Sequence, residues 1–186
     1  SLAATVDGGR NVIVNSEGVR FTNESKPYVT FVHDQLAGGH VPAWFVMDTK
    51  ARSRYVFAQV PQGVPFSRKY YEAGIIHRAD TLQELAAKID VPADALVATI
   101  DRFNGFAATG VDEDFHRGEA AYDKYYGDPT LKNPCLDTIE KGPFYAVKVE
   151  VGDLGTKGGL VTDARGRVLR EDGSAIEGLY ATGNAT

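Results

Sequence analysis

Two helices joined by almost nothing set the fold class of this chain. Thr81-x-x-Glu84 is a capping box, in which the threonine hydroxyl and the glutamate carboxylate satisfy free amide donors at a helix start. Leu82, Leu85, Ala86 and Ile89 then recur at i, i+3, i+4 and i+7 and make one apolar stripe. Pro92 opens the next helix at its first position, with Leu96, Ile100 and Phe103 on one face and an end near Gly105. The pair is an αα corner flanked by short strand signals. Asn11 to Asn15 reads as a β-branched run, turned by Ser16-Glu17-Gly18 and returned by Val19-Arg20-Phe21, a hairpin. Lys26-Pro27-Tyr28 opens a helix through about Leu36, stopped by Gly38-Gly39. Val41 to Met47 reads as a buried strand closed by Asp48, and Phe144 to Val149 alternates like another. Gly159 to Asp163, Arg167 to Arg170 and Leu179 to Thr182 make a small sheet around the turn Glu171-Asp172-Gly173. No G-x-G-x-x-G follows a strand, so the dinucleotide-binding βαβ unit is absent. The reading is α+β, with small mixed and antiparallel sheets beside a helical pair, rather than a doubly wound sheet.

Composition narrows the function classes. The 186 residues allow one domain, or a domain plus a fragment. A net charge of −5 argues against nucleic acid, which wants a clustered basic face. The lone Cys135 excludes an internal disulfide framework. No run approaches the ~18–20 apolar residues of a membrane span, and no signal peptide is visible. Between Gly110 and Pro143 the periodicity dissolves into a turn-rich aromatic segment, read as an ordered loop packed by Phe115, Tyr122, Tyr125 and Tyr126.

Two stretches carry candidate chemistry. The last thirty-odd residues hold Gly152-Asp-Leu-Gly-Thr-Lys-Gly-Gly-Leu160 and Gly178-Leu-Tyr-Ala-Thr-Gly-Asn184. Backbone without Cβ atoms at Gly155, Gly158, Gly159 and Gly183 can approach a flat ligand closely. The second stretch is Arg20-Phe-Thr-Asn-Glu-Ser-Lys-Pro-Tyr28, a polar cluster just before a helix with a phenol at its start. It reads either as a capping network with Tyr28 half-buried, or as a pocket in which Tyr28 is an acid or base. A free tyrosine has a pKa of about 10, so the second reading needs a hydrogen-bonded partner or a nearby positive potential.

R-F-T-N-E-S-K-P-Y, D-L-G-T-K-G-G-L, R-V-L-R-E-D-G-S-A-I-E-G-L-Y-A-T-G-N and T-L-Q-E-L-A-A-K-I-D-V-P-A-D-A-L-V-A-T-I-D-R-F-N, in this order, resemble the FAD-dependent 3-ketosteroid dehydrogenases. Those enzymes belong to the fumarate reductase/succinate dehydrogenase flavoprotein superfamily, and the Δ1-dehydrogenases are the nearest in kind. The resemblance covers essentially the whole chain. It implies a catalytic, or cap, domain over residues 1–177 and, over 178–186, the return into an FAD-binding domain that lies outside the chain, with both crossings cut. The implied partners are a 3-ketosteroid, that FAD-binding domain and an external electron acceptor, in a cytoplasmic setting with membrane association as the alternative.

The resemblance also assigns roles. Fumarate reductases carry an arginine where Tyr28 stands, and a histidine-rich run where Asp153 to Lys157 stand. Losing both removes the cations a dicarboxylate needs and suits a neutral substrate with one ketone. Tyr28 is then the base, as its phenolate, that takes the proton at C2 while FAD accepts hydride from C1. Gly183 and Asn184 are the candidate flavin contacts, with Gly158 and Gly159 as secondary ones; for the latter pair a plain hairpin turn is equally open. The groups that polarise the ketone lie outside the chain, so these residues alone are expected to be inactive and free of FAD. A Δ4-(5α)-dehydrogenase, another enone reductase and a non-catalytic binding domain are the alternatives.

Other residues take plainer readings. His33, His40, His77 and His116 lack metal-ligand spacing, so no metal is expected. Asp112-Glu113-Asp114 lacks the remaining ligands of a calcium loop. Trp44-Phe45-Val46 reads as core strand or pocket lining, and Tyr145 as either.

Overall fold

The computed structural model describes residues 9–152 and 158–186. The chain divides into two compact units, Leu2–Val151 and Gly152–Thr186. In the larger unit the elements run β1 (Asn11–Val14), α1 (Tyr28–Ala37), β2 (Ala43–Met47), α2 (Thr49–Arg54), α3 (Arg68–Glu72), β3 (Ile76–Ala79), α4 (Leu82–Ile89), α5 (Ala93–Thr109), α6 (Ala121–Tyr125) and β4 (Phe144–Val149). Its four strands form one antiparallel sheet in the order β1-β2-β4-β3.

Strand alternation divides the core in two. Val12, Val14, Trp44, Val46 and Ala146 face α4 and α5, where Leu85, Leu96, Ile100 and Phe103 meet them. Ile13, Phe45, Met47 and Val147 face the other way, onto Phe31 of α1 and onto Phe57 and Phe66. All five residues of β2 are buried, because it is central and covered on both faces. Trp44-Phe45-Val46 is therefore core.

The α4–α5 corner forms where the stripes place it. The Thr81 hydroxyl accepts from the Glu84 amide at 3.2 Å. The Glu84 carboxylate reaches one residue further back than a standard box and accepts from the Asp80 amide at 3.2 Å. Helix α5, however, runs past Gly105 to Thr109 and stops at Gly110, whose φ of 83° only glycine adopts freely. Gly105 lies on the exposed side, and buried Phe106 extends the apolar face beyond it. That packing outweighs the roughly 1 kcal/mol propensity cost of an internal glycine.

Two further expectations are corrected. The segment after Gly18 turns back, with the Asn15 amide donating to Val19 O at 3.0 Å, yet it makes only a bridge from Val14 to Arg20. The ladder of β1 goes instead to β2. In the 110–143 loop, Tyr122, Tyr125 and Tyr126 are exposed, Tyr125 to 76%, rather than packing it down. Cys135, Leu136, Ile139 and a set of buried charges do that instead. The strand β3 and the short helices α2 and α3 carry no strong sequence pattern; α2 starts where the Asp48 carboxylate accepts from the Ala51 amide at 2.9 Å.

In the smaller unit β5 (Arg167–Leu169) pairs antiparallel with β6 (Ala175–Tyr180), and Gly183–Ala185 form a single 3₁₀ turn. The last strand thus lies earlier than Leu179 to Thr182, and Gly159 to Asp163 supplies only a bridge from Thr162 to Val168. Gly155 and Asp153 to Lys157 lie outside the described residues.

Candidate functional site

Tyr28 is the first residue of α1 and is 39% exposed. No hydrogen bond to its phenol occurs among the described residues. Helix α1 lacks a side-chain cap, since Pro27 occupies that position. Its uncapped amides leave positive partial charge at the end where Tyr28 sits. The phenol is thus presented outward from the larger unit, on a helix whose other face is anchored by buried Phe31 and Gln35.

The residues that lead into α1 belong to a charge network inside the unit. Arg20 grips Glu24 with two parallel bonds, Nε to Oε1 and Nη2 to Oε2, each 2.8 Å. Its fork also reaches Asp112, at 3.1 and 2.7 Å. Arg117, 0% exposed, donates to Glu24 Oε2 at 3.2 Å, to Ser25 Oγ at 2.9 Å, to Asn11 O at 2.8 Å and to Asn11 Oδ1 at 3.2 Å. Glu24 Oε1 takes a further bond from the Ile13 amide at 3.2 Å. Two guanidiniums and two carboxylates balance in charge. Burial pushes the Glu24 carboxyl up, but Arg20 and Arg117 outweigh it and hold the group below its ordinary range. Asp112 behaves alike, with Arg20 offsetting burial. Asn23 joins the frame, its amide donating to Asp123 Oδ2 at 2.9 Å, which also accepts from the Gly118 amide at 2.9 Å.

The expected capping network does not form, since no side chain caps α1; Arg20, Asn23 and Glu24 join a buried charge network instead, and Tyr28 is partly exposed at the helix start. Sequence reasoning found Arg20, Asn23 and Glu24 as a cluster and missed Arg117 and Asp123. Nothing local marks those two, because they come from the irregular loop about ninety residues downstream. Asp112 is occupied by Arg20, and Asp114 takes both bonds from Arg102 at 2.8 and 2.6 Å. His33 is exposed, and His77 packs edge-on against Trp44 with centroids 5.4 Å apart. Among the described residues no group of three His, Cys, Asp or Glu could hold a metal ion. None of the described helices is long and apolar enough to cross a membrane.

In the smaller unit the glycines separate by cause. A Cβ at Gly159 would stand 2.5 Å from the Ala185 carbonyl oxygen, whose bond from the Leu160 amide is 2.9 Å. Gly159 is thus required by the closeness of two backbone segments. Gly158 (φ 98°) and Gly183 (φ 64°) have left-handed backbones, and a Cβ at either would meet nothing within 4 Å. Asn184 follows in the 3₁₀ turn. This bare backbone leaves room for the edge of a flat ring such as a flavin, and no phosphate-cradling loop accompanies it among the described residues.

Comparison with known proteins identifies the family. The FAD binding domain family matches residues 2–186. A 3-oxosteroid 1-dehydrogenase of Mycolicibacterium smegmatis is 55% identical over 186 residues, covering 95% of this chain and 33% of its own. One from Mycobacterium tuberculosis is 51% identical over the same shares. The crystal structure of a 3-ketosteroid Δ1-dehydrogenase from Sterolibacterium denitrificans, in complex with 1,4-androstadiene-3,17-dione, superposes with a TM-score of 0.85 at 40% identity, over 100% of this chain and 34% of that one. The chain spans about a third of the length of the relatives it matches. With that family matched over residues 2–186, the chain belongs to the FAD binding domain family of flavoproteins.

Proposed function

We propose that this chain is the substrate-side portion of an FAD-dependent oxidoreductase that desaturates ring A of 3-ketosteroids between C1 and C2. The observation that carries the reading is the 55% identity, across 95% of the chain, to a 3-oxosteroid 1-dehydrogenase. Tyr28 is the base. Its exposed phenol, with no hydrogen-bonded partner among the described residues, is available to a substrate ring docked against α1. A proton beside a ketone is acidified by the carbonyl, so a phenolate placed against it can remove it. Bound FAD supplies the hydride acceptor. Gly183 and Asn184, with Gly158, present backbone to one edge of that cofactor, and Gly159 keeps the turn tight behind them. Residues 1–177 serve as the catalytic domain, 178–186 begin the return into the FAD-binding domain of the same protein, and an external acceptor reoxidises the flavin. The setting is cytoplasmic.

The test is turnover of a 3-ketosteroid by the intact protein with an artificial electron acceptor. We expect a 1,2-dehydrogenated product, and at least a 100-fold loss of kcat in Tyr28→Phe with KM changed by no more than a few-fold, as for a general base. A Δ4 product would move the assignment to the Δ4-(5α)-dehydrogenases, and turnover within a few-fold of wild type in Tyr28→Phe would remove the base.

A further inference from the structure

Helix α1 begins without the side-chain cap that fixes the start of most helices, and yet it carries the proposed base on its first residue. Something else must set where that residue stands. The answer lies in the eight residues before it. Arg20 is tied to Asp112, Asn23 to Asp123, and both Glu24 and Ser25 to Arg117. Half of the approach to Tyr28 is thus bonded to one distant segment, residues 112–123. The segment is itself cross-braced: Asp112 accepts from the amides of Asp114 and Phe115 at 3.1 and 3.3 Å, and Asp123 from Gly118. Asn133 bonds the carbonyls of Gly110 and Arg117 at 3.0 and 3.2 Å.

Arg117 is the centre of this frame. Its guanidinium is wholly buried, at 0% exposure, and bonds four acceptors on three residues. Asn11 is on β1, Glu24 and Ser25 are on the approach to α1, so one planar group spans the sheet edge and the helix start. Buried ion pairs are poor sources of stability compared with apolar packing of the same volume. What they supply is geometry, because the fork of donors admits one arrangement. We propose that Arg117 is a positioning residue for Tyr28: through Ser25 and Glu24 it fixes the start of α1 against β1, and so the place at which the phenol meets substrate. The proposal rests on the reading of Tyr28 as the base. Arg117 is wholly buried, so its effect is exerted through the residues it bonds.

Three variants of the intact protein test it. Ser25→Ala removes one bond of the fork. Asn23→Ala removes the parallel tie to Asp123. Arg117→Lys keeps the charge and loses the planar fork. We expect Ser25→Ala and Asn23→Ala to remain folded by circular dichroism, with kcat for a 3-ketosteroid down at least 10-fold and KM within 2-fold. Amide exchange at Phe31 and Val32, measured without substrate, should speed up at least 10-fold. Arg117→Lys should show the larger effect; should it not fold, the two alanine variants decide. In a Tyr28→Phe background, Ser25→Ala should lower the residual turnover by less than 2-fold, since its effect passes through the phenol. Folded variants with kcat within 2-fold of wild type and unchanged exchange at α1 would overturn the proposal. So would an equal loss of kcat in the Tyr28→Phe background, which marks a general structural role. If Tyr28→Phe itself proves active, the base reading falls separately, and the exchange rates alone judge whether the frame holds α1.

Discussion

Replacing Glu24 by glutamine isolates the energetic weight of the buried frame. The carboxylate sits between two guanidiniums, with both oxygens bonded to donors. In Glu24→Gln an amide NH2 is turned toward arginine N–H groups, and one acceptor is lost. Arg20 keeps Asp112, but Arg117 is left wholly buried with no carboxylate bonded to its side chain. Breaking a buried pair from one side costs about 3–5 kcal/mol. In a unit of this size that lowers Tm by roughly 6–20 °C, at about 2–4 °C per kcal/mol. The pH dependence is the sharper test. Folding holds the Glu24 carboxyl below its ordinary range, because the two arginines outweigh burial. A depressed folded-state pKa contributes stability that is complete above the unfolded value and is lost as pH falls through the folded one. The gap between wild type and Glu24→Gln should therefore be full at pH 7 and shrink below about pH 4.5. Every other carboxylate is common to both proteins and cancels. Denaturant unfolding at a series of pH values measures the difference directly. A gap under 1 kcal/mol at pH 7, or one that does not narrow in acid, would refute the argument that Glu24 is a charged keystone.

Three further outcomes are expected. Gly159→Ala drives a Cβ to within 2.5 Å of the Ala185 oxygen, so the Leu160 amide should exchange at least 10-fold faster. Gly183→Ala, with open space but a φ of 64°, costs only about 1 kcal/mol and should leave that amide protected. The Tyr55 phenol is pushed up to about 12 by burial and by its 2.8 Å bond to Asp128. Ultraviolet titration should show one tyrosine ionising near there. Its raised value stabilises the fold below pH 10, a term lost as pH climbs toward 12 and absent in Tyr55→Phe, which should cost about 1 kcal/mol. Finally, these 186 residues purified alone should show no flavin absorbance; stoichiometric FAD would contradict the proposed division of the site between this chain and a separate FAD-binding domain.

Local chemistry made part of this protein legible in its sequence. The stripe from Leu82 to Ile89, the Thr81 cap and the alternation of Phe144 to Val149 each act within a few residues and form as read, and the run at Val41 to Met47 forms two residues shorter, from Ala43, with Val41 exposed. Tyr28 and the glycine turns stood out because an unusual residue type sits at a definite place in a motif. Long-range pairing decided the rest. The expected hairpin stops at the Val14–Arg20 bridge, where Glu24 and Asp112 hold the Arg20 guanidinium in the interior, and β1 finds its ladder in β2. Helix α5 crosses Gly105 because Phe106 has a core to enter. No spacing rule links Arg117 to Ser25, since the charge that balances it and the residue it steadies are separated by some ninety positions of chain. A buried charge is tolerated only where folding brings its partners together, so the frame around Tyr28 exists in the tertiary structure alone.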